Sequence, residues 1–138
     1  AAADDPRIGA LWSGAGYADI APILEARWPG ASGLPMPFLS GTRVAHRLSF
    51  GFDPGGVRPE VEIARVVPRP IQRVHGTADT TVPYEHGLRL AAASGADLWK
   101  LPGVAHADAY AADPVAYANR AIEFFDAALR VQVASAGR

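Results

Sequence analysis

Two short stretches of the chain carry residue types suited to proton transfer. His75-Gly76-Thr77-Ala78-Asp79-Thr80-Thr81-Val82-Pro83 holds an aspartate in a glycine-led loop, and Gly103-Val104-Ala105-His106 holds a histidine in another. Each loop follows a short run that reads as a strand. In open parallel sheets the crevice beyond the carboxyl ends of the strands is where ligands bind, so an Asp after one strand and a His after the next can meet there. The carboxylate would accept the imidazole Nδ1–H, fix the tautomer and stabilise the imidazolium formed as a proton moves. Asp79 and His106 are therefore the candidate acid and base. Plainer roles stand beside these: Asp79 as the cap of a helix starting near Thr81, and His106 as a loop or packing histidine.

The remaining polar candidates read as structural. His75 ends a strand. His86 falls on a helix and is expected to be solvated, and His46 has no evident partner. Asp108 reads as a loop carboxylate, although it could orient His106, and Asp19 as a cap or a solvent-facing group. None of the histidines has H-E-x-x-H or another ligand spacing, and cysteine is absent, so no metal site or thiolate chemistry is expected. No G-x-G-x-x-G opens a helix after a strand, which argues against a nucleotide site. No cofactor is implied.

The elements that must position Asp79 and His106 alternate between strand and helix. Ala1 to Ala3 read as the end of a helix, stopped by Asp4-Asp5-Pro6. Ile8 to Trp12 is an apolar run expected to be a strand buried on both faces. Tyr17 to Trp28 reads as a helix ended by Pro29-Gly30. Residues 31–56, rich in Gly, Pro and Ser, form a long excursion carrying Met36, Phe38, Leu39, Phe50 and Phe52, either a lid over a pocket or core filling. A short helix is expected over Glu60 to Val66 and a strand over Ile71 to His75. A helix over Thr80 to Ser94 follows, with Pro83 near its start and Gly95 past its end. Asp97 to Leu101 is a third strand. Asp113-Pro114 opens a last helix with Val115, Ala118, Ile122, Phe125 and Leu129 along one stripe. Val131 to Arg138 reads as a frayed tail. This order predicts an α/β fold with a mostly parallel sheet of about three strands, four helices and an incomplete look.

Length and composition bound the rest. At 138 residues there is room for one core. A net charge of −1 gives no electrostatic case for nucleic acid or an anionic membrane surface. With 49% hydrophobic and 20% charged residues the chain should fold rather than stay disordered. No apolar run reaches membrane-spanning length. No signal peptide is visible, which favours the cytoplasm as an expectation, while the chain begins without Met and reads as a piece of something longer.

The run from Ile71 to Tyr110 resembles the C-terminal part of the α/β-hydrolase family, which often shows an HGxxDxxVP loop carrying the triad acid and a GxxH loop carrying the base. The resemblance extends weakly to the rest: Ala1 to Ile8 looks like the end of the helix after the nucleophile, and Asp113 to Leu129 like the closing helix. It implies that residues 1–138 are the C-terminal part of one hydrolase domain, with a possible lid at 31–56. It implies Asp79 as triad acid, His106 as general base, and hydrolysis of a carboxylic ester, thioester or amide through an acyl-serine. The family presents its nucleophile on a G-x-S-x-G elbow, and no such motif occurs here. Ser13 comes nearest, but Leu11 stands where the tight turn needs a small residue, so Ser13 is rejected and the elbow is expected before Ala1. Both oxyanion-hole donors would lie there too, leaving the chain inactive alone.

Two consequences are expected. A sheet lacking its neighbours exposes an edge that invites self-association. The strand before Asp79 carries Gln72 and Arg73 where such a strand is normally apolar, and burying an unpaired Arg costs several kcal/mol in round terms. That departure favours an alternative, a non-catalytic remnant or interaction module keeping the scaffold without the reaction.

Overall fold

A computed structural model describes residues 2–136, with side chains described for residues 2–130. Three parallel strands, β1 (Leu11–Gly14), β2 (Ile71–Gly76) and β3 (Leu98–Leu101), form one sheet in the order β1-β2-β3. Between them lie α1 (Ile20–Ser32), α2 (Pro37–Phe50), α3 (Pro59–Ala64) and α4 (Tyr84–Ser94), and after β3 come α5 (Ala109–Ala112) and α6 (Pro114–Ala136). A 3-10 turn, Pro54–Gly56, precedes α3. The three parallel strands match the expectation; the helices number six rather than about four among the described residues.

Only β2 is buried along nearly its whole length. It has a hydrogen-bonded neighbour on each side, whereas β1 and β3 each pair with β2 alone among the described residues. β1 is consequently half-buried with an exposed end, not enclosed on both faces as its apolar run suggested. Alternation along β2 sends Ile71, Arg73 and His75 to one face and Gln72 and Val74 to the other. On the first face Leu90 of α4, Ile63 of α3 and Ala18 form the core cluster, with Leu11, Ile71 and Ala93 packed against it.

The second face belongs to α6 and a cluster of aromatic rings. Trp12 lies 5.4 Å from Tyr117 and 5.7 Å from Phe124, centroid to centroid, both edge-on, a geometry aromatic quadrupoles favour. The Trp12 indole donates to the Tyr117 hydroxyl at 2.7 Å. The helix therefore turns its Tyr117, Phe124 and Ala128 side to the sheet, and Ala128 is buried. The expected stripe faces largely outward: Val115, Ile122 and Leu129 are 70%, 59% and 56% exposed. Both sides of α6 are apolar, and small alanines let the other one approach the two tryptophans. The backbone of α6 continues helically to Ala136, where a frayed tail was expected; residues 137 and 138, like Ala1, lie outside the described residues.

Local sequence explains the helix ends. Asp19 caps α1, its carboxylate accepting from Ala21 N at 3.0 Å. α1 runs past Pro29 to Ser32, because the stop is supplied by Gly33 at φ 67°, whose N–H reaches the Pro29 carbonyl. α4 starts at Tyr84, later than expected, and ends at Gly95 as expected. Residues 31–56 are mostly helix rather than loop. Of their apolar residues Leu39 is buried, while Met36, Phe38, Phe50 and Phe52 are exposed, so core filling is excluded for those four. Arg43 clamps Asp53 through two bonds of 2.9 and 2.6 Å, and His46 meets the Phe52 carbonyl at 3.0 Å, a partner its sequence position did not reveal. The excursion returns to its starting point: Ile20 N donates to Val57 O at 3.2 Å.

Candidate active site

The carboxyl ends of β2 and β3 hold two loops fastened to each other. Thr77 N donates to Leu101 O at 2.9 Å and Ala78 N to Val104 O at 3.1 Å. The Thr77 hydroxyl accepts from Gly103 N at 2.9 Å. This closeness requires glycine at position 76, since a Cβ there would sit 2.1 Å from the Val104 carbonyl oxygen. The His75-Gly76 pair at the strand end is thus a packing device for the loop that follows.

Asp79 is buried and divides its work between its two oxygens. Oδ1 accepts from Thr81 N at 2.9 Å and Val82 N at 2.7 Å, anchoring the loop ahead of α4. Oδ2 lies 2.8 Å from His106 Nδ1. One side chain thus binds both the loop amides and His106; it does not cap α4 as expected, because that helix begins at Tyr84, with Pro83 at its N-cap position and no side-chain cap bond. Burial raises the Asp79 pKa, but the Val82 amide, the His106 hydrogen bond, the Thr81 amide and the His106 charge together hold it below the usual carboxylate value. Asp79 is therefore an ionised acceptor near neutrality.

His106 is supported differently. Its side chain is 38% exposed, and Ala107 behind it stands at φ 59°, an uncommon backbone for a residue with a Cβ. With Nδ1–H committed to Asp79, the neutral ring carries its lone pair on Nε2, the form a general base needs. Asp108 does not share this task. A cavity of about 300 Å³ adjoins, lined by Gly14, Ala15, Gly76, Ala105, Ala107 and Tyr110 among others, at the strand ends where a ligand is expected in such a sheet.

Two further histidines support the loop. His75 is fully enclosed; its Nε2 is 2.8 Å from the Val82 carbonyl and 3.3 Å from Asp79 Oδ2. The structural role expected for His75 thus includes positioning Asp79. Gly87 lets α4 lie on that ring, for a Cβ there would come within 2.7 Å of His75 Nδ1. His86 is buried, contrary to the solvated position expected for it. Its Nδ1 accepts from Ala18 N at 3.1 Å, tying α4 to the turn before α1. Burial, then the Arg89 and His75 charges, lower its pKa against opposing effects of Asp19 and Glu85. Sequence spacing did not show the His86 contact because Ala18 lies 68 residues away.

Ser13 stands within β1, opposite Arg73 in the register. Its hydroxyl accepts from Arg73 Nη1 at 3.2 Å. β1 ends at Gly14 and the next helix begins only at Ile20, so Ser13 does not occupy a strand-to-helix elbow. Among the described residues no group of three or more His, Cys, Asp and Glu is placed to hold a metal ion. No described helix is long and apolar enough to cross a membrane.

Comparison with known proteins places this arrangement. No family model matches the chain, and no curated protein does. Among solved structures it is similar to the alpha/beta hydrolase GrgF from Penicillium sp. sh18, with 20% identity and a TM-score of 0.57, covering 89% of this chain and 56% of that one. It is also similar to the putative non-heme bromoperoxidase BpoC from Mycobacterium tuberculosis H37Rv, with 12% identity and a TM-score of 0.56, covering 91% of this chain and 61% of that one. The chain thus spans little more than half the length of either. Its three parallel strands, with helices on both faces, are a partial α/β-hydrolase fold.

Proposed function

We propose that the chain carries the acid and base of a serine-hydrolase triad, acting on a carboxylic ester, thioester or amide, with the nucleophile supplied from outside these 138 residues. One observation carries this reading: the 2.8 Å contact between His106 Nδ1 and the buried Asp79 carboxylate. His106 Nε2 takes the serine proton as its oxygen attacks the acyl carbon, and returns it to the leaving group as the tetrahedral intermediate collapses. Asp79 holds the ring and stabilises its charge in between. Water then repeats the cycle on the acyl-serine, releasing the acid. The cavity beside Ala105 and Ala107 receives the acyl group.

The test is labelling by a fluorophosphonate, which traps an activated serine. We expect the protein expressed from its complete gene to be labelled at a serine other than Ser13, and His106→Ala to abolish labelling. The chain alone should not turn over short p-nitrophenyl esters. Labelling at Ser13 would overturn the assignment of an external nucleophile. A second reading, a scaffold that has lost the reaction, draws on the buried and incompletely bonded Arg73; no labelling of the complete gene product would favour it.

A further inference from the structure

A second cavity, of about 290 Å³, opens on the α3–α4 face of the sheet, lined there by Leu11, Ser13, Ile63, Arg73 and Leu90. Its lining is mostly apolar, with Ser13, Tyr17, Glu62 and Arg73 as the polar side chains. Arg73 is only 2% exposed, and the one described hydrogen bond of its side chain is Nη1 to the Ser13 hydroxyl. The Nε and Nη2 groups, the other edge of the same planar fork, have no hydrogen-bond partner among the described residues. Glu62 also lines the cavity, but its carboxylate is held by Arg65 at 2.5 Å. Burial depresses the Arg73 pKa to about 10, which leaves the guanidinium charged at neutral pH.

We propose that this cavity is a binding site for a small monocarboxylic acid with a short apolar tail. A guanidinium edge with two free N–H groups matches a carboxylate in the bidentate geometry that makes such pairs strong and specific. The Ser13 hydroxyl already accepts from Nη1, so its own proton remains to donate to the same anion. The apolar walls take the tail, and a single cation matches a single negative charge better than it matches a phosphate dianion. Gly16 packs directly against Nη2, where a Cβ would lie 3.4 Å away, and because both free nitrogens are enclosed the anion reaches them as this glycine turn gives way. The site draws nothing from Asp79 or His106, and stands whether or not the chain belongs to a hydrolase.

The probe is butanoate, titrated calorimetrically into the chain, with butanamide and sodium chloride as controls. We expect butanoate to bind at least about tenfold more tightly than butanamide, chloride to give no saturable heat, and Arg73→Met to lose the preference. His106→Ala should bind butanoate like the original chain. Should Arg73→Met fail to fold, the Arg73 Nε–H resonance of the unaltered chain decides, because a bound carboxylate shifts it and butanamide does not. Equal binding of butanoate and butanamide, or an unmoved Nε–H signal, overturns the proposal. So does a concentration-dependent dimer that Arg73→Met dissolves, which would assign the missing carboxylate to a second copy.

Discussion

Strand β2 treats its charged and polar groups in two opposite ways within a few residues. Past its carboxyl end, both Asp79 oxygens accept hydrogen bonds and His75 Nε2 is placed against Val82 O and Asp79, so that only His75 Nδ1 has no hydrogen-bond partner among the described residues. Two residues before His75, Arg73 is equally enclosed, yet two of its three guanidinium nitrogens have no hydrogen-bond partner among the described residues. Both sets of groups belong to one central strand and the loop that follows it, in comparable burial, so burial alone does not explain the contrast. The difference lies in the adjoining chain: the loop after β2 folds back over His75 and Asp79 with its own amides and carbonyls, whereas the Arg73 guanidinium is bonded to Ser13 alone among the described residues and the nearby Glu62 carboxylate is held by Arg65. A buried polar group is satisfied by local backbone where a turn is available, and otherwise depends on something arriving from farther away.

The strongest way to break the satisfied end is Gly76→Ala. The added methyl meets a carbonyl that is itself bonded to Ala78 N, and we expect a loss of at least about 3 kcal/mol in urea unfolding, with the Asp79–His106 contact disrupted. A loss under about 1 kcal/mol would show that the two loops move apart freely. Next in size is Arg73→Met, which keeps the packing volume and removes the charge. We expect stabilisation of about 1–3 kcal/mol in the absence of any ligand, read from the same unfolding curves. Destabilisation would mean that Arg73 has the acceptors it lacks in this structure.

The smallest effect is the response to pH. The lowered pKa of His86 means that the unfolded chain binds its proton more readily. That contribution to stability is complete above the unfolded value near 6.5 and declines as pH falls from there toward the folded value. Asp79 acts lower: its stabilising share is present above its unfolded value of 3.8 and is lost as pH falls through the folded one. Unfolding midpoints at stepped pH should therefore decline in two stages, and His86→Gln should flatten the upper one alone.

Much of the site could be read from residue order, because the loops at Asp79 and His106 each follow a strand and parallel neighbours bring consecutive strand ends together. The capping role expected for Asp79 was misplaced: its carboxylate takes loop amides at Thr81 and Val82, and α4 starts after Pro83 without a side-chain cap. What escaped was set by long-range packing. His86 lies on the helix face that meets Ala18, and nothing in the helix itself distinguishes that face. On α6 both sides are apolar, so periodicity could not say which one the sheet would choose; Trp12 and Trp99 decide it. The excursion hid a regular helix because its glycines and prolines suggest loop, while Pro37 sits at the first helical position, where it is tolerated.

The closure of that excursion, with Ile20 bonded to Val57, gives the protein a removable part. Because both feet stand side by side, the segment between them can lengthen, shorten or be exchanged for another without dragging on the strands. A graft at this joint would change the size of that segment and leave the sheet as it is, at the cost of the bond from Arg27 to the Thr80 carbonyl that ties α1 to the loop after β2.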